Sequence, residues 1–207
     1  RIPMKTRKIS AVLLSAVMLA SALGLSSCGG DEENTALQIL AESSYVDAEQ
    51  LDAYEETFSA GSEALAAAGK TAEFTDLSVG SEDVDPTVYA ASTMKVSAMI
   101  AANEVDLMLC SLDEAARNAR GDCYYDLEEL FTPEELAQVP EENLLSFDQV
   151  DEEGNPTGEK TPVCGVKISG NEALDSAIPG AEYGLFIVGN TDDLELAKEV
   201  FWEIVNG

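Results

Sequence analysis

The chain contains no histidine among its 207 residues. Serine–histidine–aspartate triads and cysteine–histidine pairs therefore lack their base, and histidine-based metal sites lack their ligand. An enzyme built from this sequence would have to work with carboxylates alone. We expect the protein not to be an enzyme.

Basic residues are scarce: 11 lysines and arginines stand against 40 aspartates and glutamates, a net charge of −29. All 40 acidic residues follow Cys28, where seven basic residues oppose them, so that this part of the chain carries −33. Such a charge repels nucleic-acid phosphates and anionic lipid headgroups, and we expect no nucleic-acid partner. The acidity is typical of a solubility feature, with cation binding as the alternative.

Cysteine is also rare. After Cys28 the chain has three cysteines, Cys110, Cys123 and Cys164. An odd number allows at most one disulfide within the chain, and the spacing matches no zinc pattern. Export permits a disulfide, whereas buried free thiols need none, and the sequence leaves the two open.

The first 34 residues differ from the rest. Lys5, Arg7 and Lys8 precede an uncharged, mostly apolar run from residue 9 to 25, which ends in Leu25-Ser26-Ser27-Cys28. This order is the anatomy of a secretory signal. The last four residues resemble the bacterial lipobox, in which the signal is cut before a cysteine that carries a lipid. We predict a signal peptide over 1–27, lipidation of Cys28 and a flexible tether over 28–34.

From residue 35 onward, strand-like and helix-like patterns alternate. Apolar runs at 36–41, 72–79, 105–110 and 183–188 predict strands, and amphipathic segments between and after them predict helices. Strand–helix–strand alternation favours a parallel sheet with right-handed crossovers. Residues 151–158 read as a hairpin tip. We therefore predict an α/β domain over 35–207: a single doubly wound, mostly parallel sheet with a β-hairpin insertion.

Several segments of this domain resemble the extracellular solute-binding proteins that serve ABC importers. The resemblance lies in residue types: a helix passing through a turn into an apolar strand, a short helix with a Leu-x-x-Leu segment, and a return strand followed by a helix. These patterns stand at Lys95 to Leu109, Tyr125 to Leu130, and Leu185 to Thr191 with Ala197 to Phe201.

The resemblance implies a periplasmic-binding-protein-like fold, a small-molecule solute as ligand and an ABC permease as partner. Members of that family have two lobes and about 300 residues. About 180 residues remain after the predicted signal, enough for one domain, with residues 141–170 in the place of a second lobe. The lipobox implies attachment to the outer face of a cell membrane, as in Gram-positive bacteria.

In open α/β sheets, ligands bind outside the carboxyl ends of the strands. The residues there are hydroxyls, carboxylates, an amide and a tyrosine, which suit a sugar or a cation better than an anion. Capping of helix starts is the alternative explanation for the serines and acids. The candidate ligand-binding residues are Glu42, Ser43, Tyr45, Ser81, Ser111, Asp113 and Asn190. Among them Tyr45 is the one least explained by capping.

We expect no cofactor and no metal ion. The acidic group around Gly154 fails the calcium-loop pattern, because Val150 occupies a ligand position. Three functions stay open: a lipoprotein that binds a small neutral or cationic solute, a lipid-anchored protein-interaction module that has lost solute binding, and a carboxylate-only hydrolase. The first is our prediction.

Overall fold

The computed structural model describes residues 35–151 and 153–207. The predicted signal peptide, Cys28 and the tether lie outside the described residues. Within the described part of the chain, no helix combines the length and the apolar character that crossing a membrane requires.

The described residues form an α/β fold in which helices alternate with the strands of a six-stranded sheet. The strands are β1 (Ala36–Ser43), β2 (Thr71–Ser78), β3 (Leu107–Ser111), β4 (Leu144–Leu145), β5 (Asp148–Val150), β6 (Pro156–Lys160), β7 (Gly165–Ile168) and β8 (Tyr183–Ile187). The helices are α1 (Ala48–Gly61), α2 (Glu63–Ala68), α3 (Pro86–Ala101), α4 (Leu112–Arg120), α5 (Leu127–Leu130), α6 (Pro133–Leu136), α7 (Glu172–Ala177) and α8 (Leu194–Asn206), with a 3-10 turn at Glu141–Asn143.

The main sheet has the strand order β2-β1-β3-β8-β7-β4. β1 pairs in parallel with both β2 and β3, whereas β3–β8, β8–β7 and β7–β4 are antiparallel. The prediction of a mostly parallel sheet therefore holds only for the first three strands, and the sheet is mixed. The rule for strand–helix–strand crossovers did not apply to β8, because the connection from β3 contains α4 to α7 and β4 to β7 instead of a single helix.

Burial explains the order of the strands. β1 lies between two neighbours and is buried almost throughout, whereas β2 lies at the edge and alternates between buried and exposed residues. A central strand covered on both faces reads as a continuous apolar run. Helices pack on both faces here: Leu51 of α1 and Phe201 of α8 lie in one core, and Val96 of α3 lies in the other.

The pattern from Asp47 to Gly69 suggests one helix, but the chain breaks at Ser62, which is extended and separates α1 from α2. Glu203 of α8 explains the break. Its carboxylate accepts hydrogen bonds from the Ser62 hydroxyl and, at 2.8 Å, from the backbone N–H of Ala64. A carboxylate at a helix N-terminus stabilises the unpaired donors of the first turn.

The predicted β-hairpin is confirmed, but its tip is shorter than the predicted 151–158, because β6 begins at Pro156. β5 and β6 pair antiparallel as a separate two-stranded sheet, with Asp148 opposite Lys160. All five residues of β6 are exposed, so the hairpin adds little to either core. It projects between β4 and β7, which belong to the main sheet.

Candidate functional site

A cavity of about 460 Å³ opens at the edge of the sheet where β1, β2 and β3 end. The carboxyl ends of these strands meet there because the three strands are parallel. The segment before β8 reaches the same edge because β8 runs in the opposite direction. We call this opening the strand-end cavity. Its lining residues are Ser44, Gly80, Ser81, Glu82, Asp83, Tyr89, Ser111, Leu112, Asp113, Glu114, Gly180, Ala181 and Glu182.

The first turn of α4 forms one wall of the strand-end cavity. Ser111 precedes the helix, and its spacing from Glu114 is that of a capping box, but its side chain does not cap the helix. Ser111 is 7% exposed, and its hydroxyl makes no hydrogen bond to the first turn of α4. The backbone N–H of Leu112 is satisfied by the carbonyl of Glu182, at 2.9 Å.

A buried ionic network lies directly behind this wall. Arg117 stands between two carboxylates: its Nη2 lies 2.5 Å from Glu42 Oε1 and 2.9 Å from Glu114 Oε2. The Tyr89 hydroxyl donates a hydrogen bond to the same oxygen of Glu114, at 3.3 Å. The network therefore connects a strand residue with no solvent exposure to two side chains that line the cavity.

The electrostatics of this network follow from burial. Loss of solvent raises the pKa of Glu42, and the attraction of Arg117 and the Asn118 hydrogen bond only partly offset it. Burial lowers the pKa of Arg117, but the two carboxylates outweigh it and the net shift is upward. Burial, followed by the charge of Glu114, raises the pKa of Tyr89.

Two further side chains extend the network into the core. Asn118 donates to Glu42 Oε2 at 2.7 Å and to the Tyr124 hydroxyl at 3.2 Å, and Tyr124 donates to Cys110 Sγ at 3.5 Å. Burial raises the pKa of both Cys110 and Tyr124 well above their ordinary values. Both groups therefore stay protonated at neutral pH, and this end of the network is neutral.

Three of the predicted site residues, Ser81, Ser111 and Asp113, line the strand-end cavity. Glu42 lies beneath it and supports Arg117 instead of facing the opening. Ser43 does not line it: its hydroxyl is buried and finds no hydrogen-bond partner in the part of the chain that the structure describes. Tyr45 is 55% exposed and also lies outside the lining, so the structure does not support a stacking role there.

The placement of Asn190 at this site was wrong. Because β8 is antiparallel to β3, the residues after β8 lie at the opposite edge of the sheet. There Asn190 donates to the carbonyl of Ile100 at 2.7 Å and also contacts Asn103 Oδ1. Its role is to tie the end of α3 to the end of β8.

The residues that the sequence reading missed are Tyr89, Glu114, Arg117 and the segment 180–182. One signal pointed to Arg117: a glutamate in a central strand is buried and needs a cation nearby. Glu114, Arg117 and Asn118 are spaced to share one face of α4, which would have identified the partners. No comparable signal pointed to segment 180–182, because its position depends on the direction of β8.

The cysteines do not form disulfides, and the acids do not form a metal site, within the described residues. Cys110, Cys123 and Cys164 are all free thiols, with the first and last buried, so the buried-thiol alternative is the one observed. Within residues 35–151 and 153–207, no three acidic or cysteine side chains converge closely enough to hold a metal ion.

Comparison of the chain with protein-family models, with curated proteins and with solved structures finds no match.

Proposed function

We propose that the protein is a lipid-anchored extracellular domain that captures a small neutral or cationic solute in the strand-end cavity. The observation that carries the proposal is the cavity itself: about 460 Å³ at the carboxyl ends of three parallel strands, lined by hydroxyls and carboxylates. Ligand pockets in proteins occupy about 300–1,000 Å³, and open α/β sheets bind ligands at this edge.

The resemblance to solute-binding proteins supports the same reading. We propose that the domain corresponds to one lobe of such a protein, anchored through a lipid on Cys28 and delivering its solute to an ABC permease. The cavity is unsuited to phosphate and carboxylate ligands, because carboxylates line it and, among the described residues, no lysine or arginine does. We propose binding without catalysis.

A thermal-shift screen of the full chain tests solute capture. The panel comprises monosaccharides, oligosaccharides, amino acids and amines, each at high concentration. A ligand at 100 times its dissociation constant adds about 2.7 kcal/mol, which raises Tm by a few degrees. We expect at least one class to raise Tm, and a flat screen of a folded protein would contradict the proposal.

A matched pair of variants locates the site. Ser81→Trp places an indole in the strand-end cavity, whereas Ser169→Trp places the same side chain at another exposed serine outside it. We expect the Tm shift to disappear with Ser81→Trp and to persist with Ser169→Trp. Loss of the shift in both variants, or in neither, would place binding elsewhere.

A second candidate function is protein interaction through α3. Only Val96 and Ile100 of this helix are buried, while Met94 and Val88 are 72% and 52% exposed. The sequence from 86 to 103 has no acidic residue and one charge, Lys95, in a chain with 40 acids. Exposed apolar side chains on a helix without acids are a feature of interaction surfaces, and the lack of acids on α3 is the observation that favours one here.

The partner that this surface suits is a second copy of the chain. Two strongly acidic copies repel one another except where this acid-free helix meets its counterpart. A 16-residue helix is about 24 Å long, which offers less area than the ~800 Å² per partner of a standard interface. The dimer would therefore be weak and concentration-dependent.

Sedimentation equilibrium over a range of concentrations tests this candidate. Met94→Glu adds a charge to the exposed face of α3, and Ala66→Glu adds the same charge to the exposed surface of α2. The interaction function predicts self-association that is lost with Met94→Glu alone. A monomer at all concentrations would exclude it.

A further inference from the structure

We infer that the solute held in the strand-end cavity is a small organic cation that carries ammonium groups. The inference rests on the proposed function, because it concerns the same cavity and narrows its ligand. It follows from the pairing of the charges around the opening and from the Ser111 side chain, which lines the cavity without capping the helix that follows it.

The acids of the cavity divide into two sets. Glu114 is paired with Arg117, and Glu182 is paired with Lys167. The other three, Glu82, Asp83 and Asp113, are exposed at the opening and form no ion pair within the part of the chain that the structure describes. The rim of the cavity therefore carries about three unneutralised negative charges.

The network behind the wall adds to this field. Arg117 is shared between Glu42 and Glu114, so one guanidinium neutralises two carboxylates. Because it is held by both, it is not free to turn toward the opening and offset the rim. A cleft lined by one sign of charge concentrates ligands of the opposite sign.

An independent observation is the Ser111 hydroxyl. Ser111 is 7% exposed, lines the cavity and makes no side-chain hydrogen bond to cap α4. The hydroxyl can therefore accept a hydrogen bond from a ligand in the cavity. An ammonium group donates three hydrogen bonds and accepts none, which suits a cavity lined by a hydroxyl and carboxylates.

The arrangement of the acids favours an organic cation over a metal ion. Within the described ranges, no three carboxylates converge on one point, as coordination of a single ion would need. A ligand with two separated ammonium groups can instead span the opening. The ring of Tyr89, which also lines the cavity, is suited to a cation–π contact with one of them.

Titration calorimetry of the full chain with two isosteric probes tests the inference. 1,4-Diaminobutane is the cationic probe, and butane-1,4-diol is its neutral counterpart of the same length. A cavity variant, Glu82→Gln/Asp83→Asn/Asp113→Asn, removes the three rim charges. A control variant, Glu49→Gln/Asp52→Asn/Glu56→Gln, removes three exposed charges from α1 and leaves the net charge equal to that of the cavity variant.

We expect the diamine to bind and the diol not to bind. The cavity variant weakens diamine binding about tenfold, which corresponds to about 1.4 kcal/mol, and the control variant leaves it unchanged. Ser111→Ala also weakens diamine binding, without lowering Tm, because the hydroxyl it removes does not cap α4.

The other outcomes overturn the inference in distinguishable ways. Equal weakening by the two triple variants would show nonspecific attraction to an acidic chain. Binding of the diol as tightly as the diamine, or of neutral solutes in the thermal-shift screen without any amine, would end the inference and leave the proposed function standing. A flat titration together with a flat screen would end both.

Discussion

Arg117 Nη2 lies 2.5 Å from Oε1 of Glu42, a glutamate that has no solvent exposure and stands in the central strand β1. The same nitrogen lies 2.9 Å from Glu114 in the same helix, so that one guanidinium neutralises a carboxylate of the sheet and a carboxylate of α4. Pairs of this kind are sensitive to the loss of one partner, because the other is then left buried with an uncompensated charge.

Replacing the cation tests this dependence. Arg117→Met keeps the length of the stem and removes the charge, and it is expected to lower the free energy of unfolding by about 3 kcal/mol at neutral pH. The loss stays at the low end of the range for buried pairs because the Arg117 side chain is 31% exposed. Urea denaturation measures it.

The matched control is Lys70→Met. Lys70 pairs with Asp193 at 2.5 Å on the surface, with both side chains about a quarter exposed (25% and 28%). A pair of this type contributes at most about 1 kcal/mol. Equal losses in the two variants would contradict the role given to the Glu42–Arg117 pair.

The raised pKa of Glu42 predicts a pH dependence. Burial raises the pKa of Glu42 in the folded protein above its value in the unfolded chain. The protonated carboxyl therefore stabilises the fold at pH values below the unfolded pKa. This stabilisation is lost as the pH rises through the folded pKa. Glu42→Gln cannot titrate at this position. The stability of the wild type relative to this variant should therefore fall as the pH rises from below 4.5, by about 1.4 kcal/mol for each unit of elevation.

Urea denaturation of both proteins between pH 3.5 and pH 8 gives this difference, and the other acids cancel because the two chains share them. A difference that rises with pH instead would mean that Arg117 outweighs burial and that the pKa of Glu42 is lowered.

Gly165 of β7 faces Phe186 of β8 across the antiparallel ladder. A Cβ at Gly165 would overlap the ring of Phe186, which is fully buried and stacks on Tyr124 with centroids 4.4 Å apart. Because the ring has no room to move, we expect Gly165→Ala to cost about 1–3 kcal/mol. Thermal denaturation measures the loss.

Gly61 at the end of α1 is the control, because a Cβ there meets nothing within 4 Å. Gly61→Ala should be neutral or stabilising by up to about 1 kcal/mol, through the reduced entropy of the unfolded chain. A loss at Gly61 that matches the loss at Gly165 would show that steric overlap with Phe186 is not the cause.

The reactivity of the thiols tests whether Cys110 and Cys164 are buried in the folded protein. Burial raises the pKa of Cys164 to about 11 and that of Cys110 well above its ordinary value. Since the thiolate is the reactive form, neither should react with Ellman's reagent at pH 8 in the folded protein. Unfolding in denaturant should release at least two further thiols. An unchanged count would mean that these thiols are accessible in the folded chain or joined in a disulfide.

Much of the fold could be predicted from the apolar runs, because a strand buried on both faces leaves a short uninterrupted pattern. β1, β2, β3 and β8 all lie where those runs predict them. The direction of β8 could not be predicted, because it depends on the path of residues 112–182 and not on its own pattern. The break at Ser62 was missed for a related reason: Glu203, which holds it, is 141 residues away in the sequence.

The sequence predicted the part of the cavity lining that follows the parallel strands. Ser81, Ser111 and Asp113 follow β2 and β3 and line the cavity. The prediction that Tyr45 lines the site was wrong, because the next residue turns inward. Val46 is buried, and its backbone N–H donates to Ser78 Oγ at 2.9 Å. This arrangement leaves Tyr45 facing solvent. The prediction for Asn190 was wrong because β8 runs antiparallel to β3, which places the residues after β8 at the opposite edge of the sheet.

Backbone amide NMR of the full chain, titrated with 1,4-diaminobutane, tests capture of a small organic cation in the strand-end cavity most directly. The account predicts saturable shifts confined to residues 80–83, 111–114 and 180–182, which line the opening. Shifts spread over the exposed acids of α1, or no shifts at the cavity, would contradict it.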